Sequence, residues 1–252
     1  MGATETKNRV VVITGGSSGI GRAIAEAFVQ NDAQVVIMGR REDALRATAQ
    51  AIGAQCSWQR ADVSQREQVA TAVDAVVAQF GKIDVLINNA GESRGITAEM
   101  SLEQAEAIWD LELATNLKGA FLMALAVLPH LTRPDGRIIN ISSDGALTGG
   151  GGLRTIGYVS AKAGLLGLTR ALAREYSGQG ITINTIAPGF IADTGATGRV
   201  PEAIVKSIAA QLPVGRPGDV NDVAAAALFL ASPDAGFITG EVMNVNGGRQ
   251  FG

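Results

Sequence analysis

Val10-Val11-Val12-Ile13-Thr14-Gly15-Gly16-Ser17-Ser18-Gly19-Ile20-Gly21-Arg22 is the stretch that decides the fold. Its first four residues are β-branched and suit a fully buried strand. The glycine- and serine-rich middle punctuates the chain as a turn, and a helical pattern runs from Gly19 to Gln30. A strand that feeds such a turn into a helix presents free N–H groups and the positive end of the helix dipole at one spot. That chemistry suits a phosphate. Gly15, Gly19 and Gly21 would permit a tight turn, close phosphate approach and close helix–sheet packing. A phosphate-binding NTPase loop is the rival, since Gly16 and Gly21 have its glycine spacing. Arg22-Ala23, however, stands where that loop requires Lys followed by Ser or Thr.

The same alternation continues along the chain. Strands are expected at Arg9–Thr14, Gln34–Met38, Ser57–Ala61, Ile83–Asn88, Arg137–Ser142, Thr182–Ala187 and Val242–Val245. Between them, helices are expected at Glu42–Ile52, Arg66–Phe80, Leu102–His130, Val159–Ser177, Glu202–Gln211 and Val220–Ala231. The pattern predicts an α/β fold with one Rossmann-like, doubly wound parallel sheet of about seven strands. Helices should cover both of its faces. No Pro-, Ser- or charge-rich linker divides the 252 residues, so residues 1–252 are expected to form one domain. Ligands of such sheets bind beyond the carboxyl ends of the strands, where connections diverge.

Composition narrows the function. A net charge of −3 without any Lys/Arg run argues against a nucleic-acid surface. The apolar stretches near Ala120–Pro129 and Ala224–Ala231 fall short of the ~20 residues a membrane span needs. Met1–Arg9 lacks the apolar core of a signal peptide, so a cytoplasmic location is expected. Cys56 is the only cysteine and His130 the only histidine. No disulfide, cysteine-cluster metal site or multi-histidine zinc site is therefore expected, and histidine-based catalysis requires His130 to face the site. His130 reads instead as a packing or helix-end residue.

Another proton-transfer group is available. Tyr158 and Lys162 stand four apart in a helical stretch and share one face. An ammonium ~5 Å from a phenol, at an effective dielectric of ~20, favours phenolate by about 3 kcal/mol, or ~2 pKa units. The expectation is a tyrosine acidified toward neutrality. By itself the pair favours a helix surface that only packs on the sheet, since this spacing is common by chance.

The ordered set of motifs resembles the short-chain dehydrogenase/reductase family. Thr14-Gly15, Gly19 and Gly21 lie in the first turn. Asp62-Val63 follows the third strand and Asn88-Asn89-Ala90-Gly91 the fourth. Asn116, Ser143, Tyr158 with Lys162, and Pro188-Gly189 complete the set in order. The resemblance spans nearly the whole chain. It implies hydride transfer between a nicotinamide dinucleotide and a carbonyl or alcohol. In it, Ser143 binds the substrate oxygen, Tyr158 exchanges the proton, Lys162 also holds the nicotinamide ribose, and Asn116 supports a water linked to Lys162. Ser143 is preferred over Ser142 because the family uses the second serine of such a pair. The same resemblance implies cofactor contacts from Gly15, Ser17, Ser18, Gly19, Ile20, Gly21, Asp62, Val63, Asn89, Ala90, Gly91, Tyr158, Lys162, Pro188, Gly189, Ile191 and Thr194.

Cofactor choice follows from charge. An acidic residue ending the second strand would bind the ribose hydroxyls of NAD and repel an extra phosphate. Here Gly39 stands where NAD-preferring relatives carry Asp, followed by Arg40 and Arg41, two guanidiniums suited to a 2′-phosphate. NADP(H) is therefore expected ahead of NAD(H). Ser18 departs from those NADP-binding relatives that carry a basic residue inside the glycine turn.

The interval from Ser143 to Tyr158 is about two residues longer than the family's usual one, with the surplus in Gly149–Gly152. Arg94, Arg154 and Arg199 would suit an anionic or carrier-bound substrate, although scattered arginines more often form solvated surface. A substrate loop or lid is expected near residues 190–212, with Gly195 and Gly198 as its flexible points. The helices Leu102–His130 and Val159–Ser177 carry apolar residues on more than one face, which with the resemblance implies a homotetramer. The leading expectation is NADPH-dependent reduction of a ketone, as in the family's 3-oxoacyl carrier-protein reductases. The alternatives are an alcohol, sugar or steroid dehydrogenase, and an inert dinucleotide-binding regulatory protein.

Overall fold

In the computed structural model, residues 7–150, 154–192, 194–195, 197–198 and 200–251 are described. The polar start Met1–Thr6, Gly151, Gly152, Leu153, Asp193, Ala196, Arg199 and Gly252 lie outside them. Seven parallel strands form one sheet in the order β3-β2-β1-β4-β5-β6-β7. They are β1 (Val10–Thr14), β2 (Gln34–Gly39), β3 (Cys56–Arg60), β4 (Val85–Asn88), β5 (Arg137–Ile141), β6 (Thr182–Pro188) and β7 (Val242–Val245). The helices are α1 (Gly19–Gln30), α2 (Glu42–Ile52), α3 (Arg66–Phe80), α4 (Leu102–Leu113), α5 (Gly119–Val127), α6 (Gly145–Thr148), α7 (Ile156–Tyr176), α8 (Glu202–Gln211) and α9 (Val220–Ala231).

Alternation along β1 builds two cores. Val11 and Ile13 join Ile24 and Phe28 of α1 and Val223, Ala227 and Leu230 of α9 on one face. Val10 and Val12 join Val69, Val73 and Val76 of α3, Met123 and Val127 of α5, and Leu172 of α7 on the other. A strand buried on both faces needs apolar residues at every position, which is why β1 lacks a polar alternation. The chain winds from β1 outward through β2 to β3, then returns to place β4 on the other side of β1. The crevice of a doubly wound sheet opens there, beyond the ends of β1 and β4.

Several strand ends shift by one residue from the sequence expectation, and three differences are larger. Strand β4 begins at Val85, because Ile83 makes only a single bridge to Leu131. Helix α7 begins at Ile156 rather than Val159, so Tyr158 lies in its first turn. The expected continuous helix Leu102–His130 is broken by a π-turn at Ala114–Lys118 and ends in a 3₁₀ turn at Leu128–His130. The widened turn carries the buried Asn116, whose Nδ2 donates to the carbonyls of Glu92 and Glu112, both at 2.8 Å. π-Turns of this kind accompany functional positions. Taken whole, residues 102–130 are also long and apolar enough by length and composition to cross a bilayer, which corrects the shorter apolar runs read from sequence. In the fold that segment packs on α3 and the sheet, with Met123, Ala124 and Val127 in the core. His130 sits at the amino end of the sheet, its carbonyl accepting from Ile83 N at 3.0 Å, opposite the crevice.

That amino end is pinned by Asp84, which is 3% exposed and accepts from Val10 N at 2.7 Å, Thr132 Oγ1 at 2.5 Å and Lys82 Nζ at 3.1 Å. Burial alone pushes its carboxyl up, but these bonds together hold it below the ordinary range. A carboxylate with a lowered folded pKa contributes stability above its unfolded pKa near ~3.9, lost as pH falls through the folded value. Asp84→Asn is expected to lower stability by about 1.5–3 kcal/mol at pH 7, because charged-acceptor bonds to buried donors are lost. Urea denaturation checks this, and the deficit should shrink at acid pH.

Candidate active site

Thr14 ends β1 and ties the glycine turn to the segment after β4. Its hydroxyl accepts from Asn89 N and Ala90 N, both at 3.0 Å, while Asn89 Nδ2 donates to the carbonyls of Thr14 (2.9 Å) and Gly15 (3.2 Å). Gly15 and Gly19 have φ of +67° and +52°, which glycine adopts without the strain a Cβ would bring. A Cβ at Gly21 would lie 2.4 Å from Asn89 Nδ2 and 2.5 Å from the Gly15 carbonyl. Close packing therefore requires glycine there. Ser18 precedes α1 without capping it through its side chain, so the first-turn N–H groups face the turn as donors for a phosphate.

The turn opens on a cleft of about 860 Å³. Of the expected cofactor contacts, Gly15, Ser17, Ser18, Gly19, Ile20, Arg40, Arg41, Asp62, Val63, Asn89, Ala90, Gly91 and Thr194 line it. Thr194 closes it over Gly19, where an added Cβ would sit 3.7 Å away. The cleft is lined by the glycine turn, by Ser17, Ser18, Arg40, Arg41 and Asp62, and by the segment after β4, with uncapped helix N–H groups at the turn. Those features fit a dinucleotide.

The remaining expected contacts lie outside that cleft. Gly21 is beneath the turn. Gly189 packs against Asn246, leaving 2.8 Å between an added Cβ and Asn246 Cα. Pro188 accepts from Asp144 N through its carbonyl at 2.8 Å. Ile191 is buried, bridges in parallel to Gly218, and its carbonyl accepts from Thr197 Oγ1 at 2.5 Å. Its carbonyl is thus already engaged within the protein.

Beyond Gly91 lies a second group. An added Cβ at Gly91 would stand 2.6 Å from Asn116 Oδ1 and 3.2 Å from Lys162 Nζ, so Asn116 and Lys162 flank one spot. Lys162 is 3% exposed and donates to the Ile141 carbonyl at 2.7 Å. Its Nζ lies 5.7 Å from the Tyr158 ring centroid. Ser142 is consumed structurally, donating to the Lys162 carbonyl at 2.8 Å, whereas Ser143 is half-buried, its Oγ accepting from Gly145 N at 3.1 Å and donating to Asp144 Oδ1 at 3.4 Å. A buried polar chain anchors α7 to the sheet: Asn88 Nδ2 donates to Asn140 Oδ1 (2.9 Å), Asn140 Nδ2 to Thr169 Oγ1 (2.8 Å), and Thr169 pairs with Thr185 (2.7 Å).

The electrostatics correct one expectation. The Tyr158 phenol is raised above its ordinary value, not lowered. Burial is the main cause; the Ser143 hydroxyl pulls it down, while the carboxylates of Asp144 and Glu112 push it further up. Lys162, with its Nζ 5.7 Å from the ring centroid, does not offset this burial. Burial lowers Lys162 itself to about 8. Both groups are held toward their uncharged forms, as expected for sites withdrawn from water.

Sequence reading missed four residues here. Glu112 is fully buried; its Oε1 accepts from Arg94 N (2.5 Å) and Gly95 N (3.3 Å), and its Oε2 faces Gly157, where an added Cβ would come within 2.4 Å. Asp144 pairs with Arg249 at 3.0 Å. Glu92 projects into the cleft. The i, i+4 spacing of Glu112 and Asn116, and the position of Glu92 directly after Gly91, were the available signals. Nothing local marks Arg249.

This sheet, glycine turn and Ser–Tyr–Lys arrangement define a dinucleotide-dependent oxidoreductase, and comparison with known proteins agrees. The profile of the enoyl-(acyl carrier protein) reductase family matches residues 15–250. A 3-oxoacyl-[acyl-carrier-protein] reductase of Vibrio cholerae is 37% identical over 243 residues, covering 96% of this chain and 97% of that protein. A (2S)-[(R)-hydroxy(phenyl)methyl]succinyl-CoA dehydrogenase subunit of Thauera aromatica is 41% identical over 250 residues, covering 97% and 98%. The crystal structure of a short-chain dehydrogenase/reductase, glucose/ribitol dehydrogenase, from Brucella melitensis superposes with a TM-score of 0.92 at 32% identity, covering both chains fully. The chain belongs to the short-chain dehydrogenase/reductase family, whose members are oxidoreductases acting on CH–OH and C=O groups.

Proposed function

We propose that the chain reduces a ketone to a secondary alcohol with NADPH, taking a 3-oxoacyl thioester as its class of substrate. The observation that carries the reading is the placement of Tyr158 and Lys162 just beyond Gly91 of the cleft, and reduction is favoured because burial raises the phenol above its ordinary value. Reduction needs a proton donor beside the carbonyl oxygen; oxidation needs the phenolate. A bound reduced nicotinamide supplies the hydride. Ser143 donates to the carbonyl oxygen and orients it. As negative charge develops on that oxygen, Tyr158 gives it the phenolic proton. Lys162 stabilises the phenolate left behind and holds the nicotinamide ribose. Asn116, fixed by the π-turn, keeps the lysine in place through water.

Arg40 and Arg41, both exposed at the cleft, are assigned to the 2′-phosphate, and no acidic residue ends β2. The segment 190–212 is assigned as a lid within one domain of residues 1–252. We assign a cytoplasmic homotetramer, with exposed Leu111 on α4 and Phe121 and Leu125 on α5 supporting a helix-paired interface. The Thauera relative favours a second reading, dehydrogenation of a hydroxyacyl-CoA thioester by the same site run in reverse.

NADPH oxidation followed over 3-oxoacyl thioesters, 3-oxo esters, diketones and aryl ketones, and repeated with NADH, tests the assignment. Turnover of 3-oxoacyl thioesters with lower KM for NADPH is expected. Saturable cofactor binding without turnover of any carbonyl would establish an inert binding protein instead.

A further inference from the structure

Glu92 is the carboxylate that directly follows the Asn89-Ala90-Gly91 wall of the cleft. Its side chain is only 17% exposed and is fixed by Thr115 Oγ1, which donates to Oε1 at 3.0 Å. The other oxygen, Oε2, accepts from two guanidiniums, Arg94 at 3.3 Å and Arg40 at 3.4 Å. Arg40 follows β2 and Glu92 follows β4, while β1 with its glycine turn lies between those strands. The Arg40–Glu92 pair therefore spans the groove across the mouth of the glycine turn.

We propose that Glu92 sets how strongly the chain prefers NADP(H) over NAD(H), by competing with the 2′-phosphate for Arg40. The inference rests on the placement of NADP(H) in this cleft given above. A phosphate that recruits Arg40 must take it from Glu92. The exchange does not strand the carboxylate, because Oε2 keeps Arg94 and Oε1 keeps Thr115. With NAD(H), Arg40 stays on Glu92 and nothing is exchanged. Glu92 thereby lowers the discrimination that Arg40 would otherwise give, and acts on one cofactor only.

Equilibrium binding of NADPH and NADH to the full chain, read by nicotinamide fluorescence, tests this with Glu92→Gln, Arg40→Ala and the double variant. Glutamine keeps an acceptor for Thr115 while removing the charge. For an ion pair whose arginine is exposed, Glu92→Gln should tighten NADPH by about two- to fivefold and NADH by less than about 1.5-fold. In the Arg40→Ala background the gain should vanish. Equal tightening of both cofactors would overturn the competition, and a gain on NADPH that persists in the Arg40→Ala background would reduce the effect to the plain field of one carboxylate and overturn it too. So would an unchanged NADPH affinity in Glu92→Gln where Arg40→Ala weakens NADPH. Should Arg40→Ala leave NADPH binding untouched, the assignment of the 2′-phosphate fails, and the inference falls with it.

Discussion

Tyr158→Phe is expected to lower turnover by about 10²–10⁴-fold while leaving dinucleotide binding intact. The substitution removes the proton donor and keeps the ring that packs in the first turn of α7 beside Lys162. Ser143 and Lys162 each keep a partner besides the phenol, Gly145 N donating to Ser143 Oγ at 3.1 Å and the Ile141 carbonyl accepting from Lys162, so the rest of the site survives. Reduction should also lose rate at alkaline pH. The limb in kcat/KM belongs to Lys162, which burial brings to about 8, rather than to the phenol, which stands above its ordinary value. The residual rate of Tyr158→Phe should therefore retain a limb near pH 8. Turnover near that of the unaltered chain would refute the tyrosine assignment, and a limb lost with the hydroxyl would refute its assignment to the lysine.

Lys162→Met is expected to stabilise the fold and cost most of the activity. The lysine is 3% exposed, and burial lowers it from 10.5 to about 8. At pH 7 it is still charged, and by about 1.4 kcal per pKa unit the buried ammonium opposes folding by roughly 3 kcal/mol. Methionine has a similar shape without the charge, but it leaves the Ile141 carbonyl without that donor, costing about 1 kcal/mol. The net gain of about 2 kcal/mol raises Tm by roughly 4–8 °C for a chain of this size. The sign with pH follows from proton counting. Between about 8 and 10.5 the unfolded lysine binds more protons than the folded one, so the unaltered protein gains stability as pH rises through that window. The advantage of Lys162→Met should be full below pH 8 and fade toward 10.5. A destabilised methionine variant at pH 7 would show that the Ile141 bond outweighs the desolvation of the ammonium.

Much of this protein was legible because its signals are local. Buried parallel strands need runs such as Val10–Ile13, and turns before helices need glycine at 15, 19 and 21, so the positions of all seven strands and most helices follow from spacing. The π-turn at Ala114–Lys118 was not legible, since its composition is that of an ordinary helix and its cause is where Asn116 must send its amide. The same holds for α6, a single helical turn in a stretch that reads as a glycine-rich loop. Glu112 and Arg249 also escaped, because their partners are distant in sequence or belong to another element's backbone.

The sequence by itself determined which groups are present and in what order: a phenol and an amine one helical turn apart, two hydroxyls after β5, two guanidiniums after β2, a phosphate turn after β1. Only the tertiary structure decided their charge states and pairings. Local spacing placed the ammonium near the phenol and implied an acidified tyrosine. Burial, set by the packing of α4 and α7 around the end of β5, reverses that sign, because desolvation depends on everything around a group and not on its neighbour four residues away.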